Sequence, residues 1–190
     1  MYQKYSTHAL VLGSRELGES DKSFSLYTHD FGLIRARASS VRSEKSKMRS
    51  ALQNYSLANV SLVKGKRGWR VAGATALRIA VGDVQGISTF ARISLLTLRL
   101  VQGEEKNEYL FAALSDAHES LMQKNVELAS TIEIVCVARI LYTLGYISSE
   151  ALESTLFSHT GYGDPHLEEA TRLQDQLLLS INKAIAEAQL

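Results

Sequence analysis

The side-chain periodicity of this chain changes once, near residue 80, and that change limits the fold more than any other feature. Before it, apolar and polar residues alternate with a period of two, as half-buried strands require. After it, apolar residues recur three and four apart, as amphipathic helices require. A chain of this kind folds as strands first and helices second, an α+β arrangement in two parts. The expected boundary divides it into residues 1–80 and residues 81–190.

Five strands are expected in the first part. Leu10 and Leu12 lead to a break at Gly13-Ser14. Phe24 and Leu26 share one face, with Ser23, Ser25 and Tyr27 on the other. His29-Asp30-Phe31-Gly32 forms a tight turn. Ile34, Ala36 and Ala38 then point inward while Arg35 and Arg37 point to solvent. Residues 55–63 and 69–79 are two more strands, joined by Lys64-Gly65-Lys66-Arg67-Gly68. Residues 46–53 resemble a short helix with Ser46 as its cap. Five strands with a helix between the third and fourth is the order of an OB-fold, a small barrel often used to bind oligonucleotides.

Helices are expected over residues 90–101, 105–123 and 126–144, with a short one over 149–157. The third is the most apolar and reads as the centre of a bundle. Gly145 ends it. Asp164 caps a last helix with Pro165 in its first turn, and Leu167, Ala170, Leu173, Leu177, Ile181 and Ile185 form its apolar face. Glu127, Glu133 and Arg139 interrupt the most apolar segment, which argues against a membrane span. The N-terminus shows no signal-peptide pattern. A cytoplasmic protein is the expectation.

Charge divides as sharply as periodicity. Residues 1–80 carry 14 Lys and Arg against 5 Asp and Glu, a net +9, while residues 81–190 carry 7 against 15, a net −8. The basic charge gathers at Arg35, Arg37, Arg42, Lys45, Lys47 and Arg49, and again at Lys64, Lys66 and Arg67. Such clusters attract phosphates. These nine cations are the candidate DNA-binding residues, with Tyr27 and Trp69 as candidates for base stacking. For both rings, packing is the competing role.

Catalytic signatures are missing from the sequence. No phosphate-binding loop, nucleophile elbow or dinucleotide fingerprint is present. Cys136, the single cysteine, lies among apolar neighbours and reads as an inert core thiol. His159, Asp164 and His166 are the nearest approach to a metal-ligand cluster, but Asp164 already has a capping role there. No enzyme activity, metal or cofactor is expected.

The first part also resembles a known family. Residues 9–22, Ala-Leu-Val-Leu-Gly-Ser-Arg-Glu-Leu-Gly-Glu-Ser-Asp-Lys, are similar to the opening of the RecO family of DNA repair and recombination-mediator proteins. The run Gly18-Glu19-Ser20-Asp21-Lys22 is its most specific part. Leu26-Tyr27-Thr28, Phe31-Gly32-Leu33-Ile34-Arg35-Ala36-Arg37-Ala38, Val41-Arg42, Lys45-Ser46-Lys47 and Ala51-Leu52-Gln53 follow in register. Leu144-Gly145-Tyr146 is the best local match beyond residue 80.

The resemblance implies an N-terminal OB-fold and a helical C-terminal domain in a bacterial cytoplasmic, nucleoid-associated protein. It implies binding of single- and double-stranded DNA and annealing of complementary strands. It also implies loading of RecA onto strands covered by single-strand-binding protein (SSB), with RecR and the SSB C-terminal tail as partners. Many members carry a four-Cys zinc ribbon after the Leu-Gly-Tyr position. Residues 147–163 contain no Cys here, so no zinc ribbon is expected. The chain is short for the family, with a reduced helical part. That acidic part is expected to serve partners rather than DNA, with Arg92 and Arg99 as local basic spots. A different class of function remains open: an adaptor whose basic barrel binds acidic protein segments and not DNA.

Overall fold

A computed structural model describes residues 3–123, 126–148 and 154–187. Five strands, β1 (Lys4–Leu17), β2 (Asp21–Thr28), β3 (Gly32–Ala38), β4 (Leu57–Gly65) and β5 (Gly68–Arg78), form a closed barrel in the order β1-β2-β3-β5-β4. This is the OB-fold that the strand order predicted. β1 is long enough to serve two neighbours: residues from Ala9 onward pair with β2, and residues up to Leu10 pair with β4.

The expected break at Gly13 is a bulge within β1. The pairing with β2 shifts between Val11 and Gly13, and Val11 and Leu12 are both buried. An extra residue bends the strand without ending it, and glycine is common at such a point. The bulge is also tied down from outside, since the Val11 N–H donates to Ser56 O at 2.9 Å and Val11 O accepts from the Tyr55 N–H at 2.7 Å.

The barrel core follows the alternation. Phe24, Leu26, Ile34, Ala36, Ala38, Val60, Leu62, Trp69 and Val71 are among its buried residues. The turn between β2 and β3 closes through Thr28. Its hydroxyl accepts from the Phe31 N–H at 3.0 Å and donates to Gly32 O at 2.9 Å. Gly32 has φ +61, a conformation that favours glycine.

Residues 46–53 are not a helix. The whole connection from 39 to 56 is a succession of turns, held by bonds such as Arg49 N–H to Ser46 O at 3.3 Å and Leu52 N–H to Met48 O at 3.0 Å. So short a segment gains too few hydrogen bonds to offset helix nucleation. It instead turns Val41, Ala51 and Leu52 into the barrel core.

Five helices follow: α1 (Val84–Leu100), α2 (Glu108–Gln123), α3 (Ala129–Thr143), α4 (Asp164–Arg172) and α5 (Gln174–Glu187). α1 starts earlier than periodicity suggested because Asp83 Oδ2 accepts from the Gln85 N–H at 3.0 Å. α2 starts later because Asn107 caps it, accepting from the Leu110 N–H at 2.9 Å. α3 buries residues on several sides, including Ile132, Val135, Cys136 and Ile140, as a central helix does. A Schellman motif ends it. The Gly145 N–H donates to Tyr142 O, the Tyr146 N–H donates to Leu141 O, and Gly145 has φ +81.

The last helix departs from expectation in two ways. Gly163, not Asp164, holds the cap position of α4; Asp164 sits in the first turn, where a carboxylate still favours the helix dipole. The helix is also interrupted at Leu173, dividing α4 from α5, and nothing in the local sequence explains the break. Residues 149–153 of the expected short helix lie outside the described residues; residues Thr155–Phe157 form one 3-10 turn. The chain forms two compact units, Met1–Val81 with Ser94–Phe111, and Gly82–Ile93 with Ala112–Leu190.

Candidate nucleic-acid interface

Strand alternation builds the site. On β3, Ile34, Ala36 and Ala38 are buried while Arg35 and Arg37 are exposed. β5 runs parallel to β3, with Trp69 opposite Ala36 and Arg70 opposite Arg37. Trp69 and Val71 point inward and Arg70 outward. Two guanidiniums therefore stand side by side on the outer barrel wall, bordering a shallow depression of about 250 Å³ with Ser39 and Ala72. Arg70 was absent from the sequence-derived set. Its outward position was legible; its neighbour was not, because β3 and β5 are distant in sequence.

The connection from 39 to 56 adds a second basic cleft. Arg42 and Arg49 line about 340 Å³ together with Lys22 and Glu16, over Phe24, Val41 and Leu52. Lys22, also missing from the sequence-derived set, reaches this cleft because β2 begins beside it. Lys45 and Lys47 are exposed on the same connection. Lys66 and Arg67 are exposed at the β4–β5 hairpin, immediately before β5 joins β3.

Some of these cations already have anionic partners. Arg37 donates to Asp21 Oδ2 from Nε at 2.9 Å and from Nη2 at 2.5 Å. Arg42 meets Glu16 at 3.2 Å, and Lys64 meets Glu104 at 2.7 Å. Among the described residues no ion pair holds Arg35, Lys45, Lys47, Arg49, Lys66, Arg67 or Arg70. Unpaired cations keep the most potential for a polyanion; exposed pairs give up little when a phosphate competes.

Asp21 organises this surface. Its Oδ1 accepts from the Ser40 N–H at 2.8 Å while Oδ2 holds Arg37. The Ser40 amide and then the Arg37 guanidinium keep its carboxyl below the usual carboxylate range. In the same turn, Gly18 O accepts from Arg42 Nη1 at 3.1 Å and Ser20 O accepts from the Arg42 N–H at 3.0 Å. The segment 18–22 thus clasps the start of the basic connection.

Neither stacking candidate presents an open ring. Tyr27 is fully buried. It does lie opposite Phe24 and Leu26, but the outer wall is covered there, with the Phe111 ring stacked at 6.4 Å. Burial pushes its phenol pKa up. Trp69 is 5% exposed. Phe31 lies 5.0 Å and Tyr5 5.6 Å from its ring, and Lys64 Nζ sits 4.9 Å over it.

In the helical unit Arg92 is taken by Glu133, with bonds of 2.7 and 2.6 Å; Arg99 is exposed in the last turn of α1, in the part of that helix that belongs to the barrel unit. The His159 and His166 rings lie 5.7 Å apart, and no group of three or more potential metal ligands occurs among the described residues. No helix among them is long and apolar enough to cross a membrane.

Comparison with known proteins bears on the barrel most directly. Residues 1–76 match the family described as Recombination protein O N terminal. The match covers the barrel, and there the chain is similar to the RecO family. It is 44% identical over 62 residues to the DNA repair protein RecO of Desulfitobacterium hafniense, covering 33% of this chain and 23% of that one. It is 26% identical over 178 residues to the DNA repair protein RecO of Dehalococcoides mccartyi, covering 94% and 64%. The RecO of Pelotomaculum thermopropionicum is 29% identical over 142 residues, covering 73% and 56%. The chain therefore spans less than two thirds of the length of these relatives. Within the barrel that resembles RecO, the run 18–22 that carried the resemblance has a structural role, holding Arg37 and Arg42 in place.

Proposed function

We propose that the outer wall of the barrel binds nucleic-acid phosphates and that the protein serves DNA repair and recombination. The observation that carries the reading is the Arg37–Arg70 pairing across β3 and β5, continued by unpaired cations on the connection from 39 to 56. Adjacent like charges repel each other; a phosphate between them turns that repulsion into attraction. The relatives' description as DNA repair proteins supports the same direction.

The mechanism needs no bond chemistry. Arginines and lysines displace counterions from single or double strands and position the backbone without reading sequence. Two neutralised complementary strands held on one surface anneal at raised local concentration. The acidic residues of the segment 81–190, with its net −8, repel DNA, and this segment serves protein partners. RecR and the SSB tail are the partners proposed for it, with RecA loading as the outcome.

The test is a titration of a labelled single-stranded oligonucleotide across a salt series. Replacing Arg35, Arg37, Lys45 and Lys47 together with Ala should lower affinity for every sequence and reduce the log–log salt slope by about 3, at about 0.7–0.9 per phosphate contact. Unchanged affinity in a folded quadruple variant refutes the reading. Binding of acidic peptides but of no oligonucleotide would instead establish the adaptor.

A further inference from the structure

Residues 101–107 form a loop without regular structure that lies against one part of the barrel. Its seat is close: a Cβ on Gly32 would fall 2.1 Å from Glu105 O. Just before that seat the loop turns at Gly103, with φ +84, and brings Glu104 onto Lys64 at 2.7 Å. Lys64 in turn lies 4.9 Å over the Trp69 ring. The Trp69 Nε1–H is buried, and hydrogen bonding from Lys64 first and then from Trp69 holds the Glu104 carboxyl below its usual range.

We propose that Trp69 is a concealed stacking site for one unpaired nucleobase, closed in this structure by Lys64 and Glu104. The proposal rests on the nucleic-acid reading above and names one subsite within it. A nucleotide has a flat ring and one negative charge. Glu104 supplies that charge to Lys64, and Lys64 occupies the place over the indole that a base would take. A phosphate that draws Lys64 away from Glu104 leaves that ring face free, and the incoming nucleotide replaces Glu104 as the acceptor beside the indole N–H.

The exchange is easy on physical grounds. The Lys64 and Glu104 side chains are 54% and 43% exposed, and exposed pairs of this kind contribute little to stability. Stacking on an aromatic ring is tolerant of base identity and requires an unpaired base. Phe31 and Tyr5 pack against the indole at 5.0 and 5.6 Å and keep it in position while Lys64 and Glu104 exchange. The site therefore discriminates single from double strands on a surface whose other contacts are to phosphates alike in both.

Trp69 is the only tryptophan of the chain, so its emission reports on this site directly. The chain of residues 1–190 is titrated with an oligothymidine carrying a terminal dye, read by dye anisotropy, and in parallel with the same unlabelled strand, read by tryptophan emission. A duplex of equal length is the comparison. The expected result is binding of both, quenching of Trp69 by the single strand alone, and at least threefold tighter single-strand binding by Glu104→Gln. Anisotropy that reports binding while Trp69 emission and the Glu104→Gln affinity stay unchanged overturns the concealed site and leaves the phosphate reading intact. Absence of any anisotropy change, in wild type and variant alike, overturns both.

Discussion

Arg139 lies with its guanidinium 4.6 Å from the centre of the Tyr162 ring, and both residues are buried. Among the described residues no carboxylate pairs with this cation. Its Nε donates to Leu156 O at 2.9 Å, Nη1 to Thr160 O at 2.6 Å and Nη2 to Gly161 O at 3.0 Å. The segment from 156 to 162 is gathered around one planar donor group, much as carbonyls gather around a metal ion.

Replacing Arg139 with Met should therefore cost about 3 kcal/mol, because one buried and two half-buried carbonyls lose their donor at about 1–3 kcal/mol each. Arg139→Lys should recover little, since an ammonium cannot reproduce the fork. Urea midpoints followed by circular dichroism measure both. A loss below about 1 kcal/mol for Arg139→Met would show that these bonds are replaced easily.

Gly32 offers a test of the loop seat. Gly32→Ala suffers a positive φ and a backbone overlap with Glu105, and should lose about 2–4 kcal/mol. Gly18→Ala is the control, with φ +67 but nothing within 4 Å of its added carbon. It should lose only the conformational part, about 1–2 kcal/mol. Equal midpoints for the two variants would mean the loop yields without cost.

Stability should fall in acid through Asp21 and Glu169. Asp21 is held below its ordinary 3.8 by the Ser40 amide and Arg37. Glu169 is held below its ordinary 4.5, first by the Thr155 hydroxyl and then by Ser154. A carboxyl depressed on folding contributes stability above its unfolded pKa and loses it as pH falls through the folded value. The double variant Asp21→Asn, Glu169→Gln should thus show a shallower decline below about pH 4 than the parent. Parallel profiles of melting temperature against pH would contradict this.

Cys136 should be unreactive in the native state. It is fully buried and burial pushes its thiol up to about 11, which leaves little thiolate at neutral pH. Ellman's reagent at pH 8 should label it completely in guanidinium and only over the timescale of unfolding in buffer. Rapid stoichiometric labelling of folded protein would be inconsistent with the packing of α3.

The barrel was largely readable because a strand announces its faces locally. Ile34, Ala36 and Ala38 against Arg35 and Arg37 needed only period two. Tyr27 was not readable, since alternation says which wall a residue joins and not whether Phe111 later covers that wall. Arg70 escaped notice for a related reason: the parallel approach of β5 to β3 is a long-range choice. Residues 46–53 misled because Ser46 looks like a helix cap, while the pull of Val41, Ala51 and Leu52 into the core decides their path. The motif at 18–22 pointed to a family before its physical role in holding Arg37 and Arg42 could be seen.

The barrel closes along its shortest seam. β3 and β5 register through two residue pairs, Ala36 with Trp69 and Arg37 with Arg70, whereas β2 and β3 register through seven. Closure is confined to these two pairs, and elsewhere along the seam the two strands do not register. It also places the least protected amides of the barrel directly beneath its paired guanidiniums. In hydrogen exchange, the β3–β5 seam is where local opening should first register, and a ligand bridging Arg37 and Arg70 would slow that exchange from outside, acting as a rivet across the join.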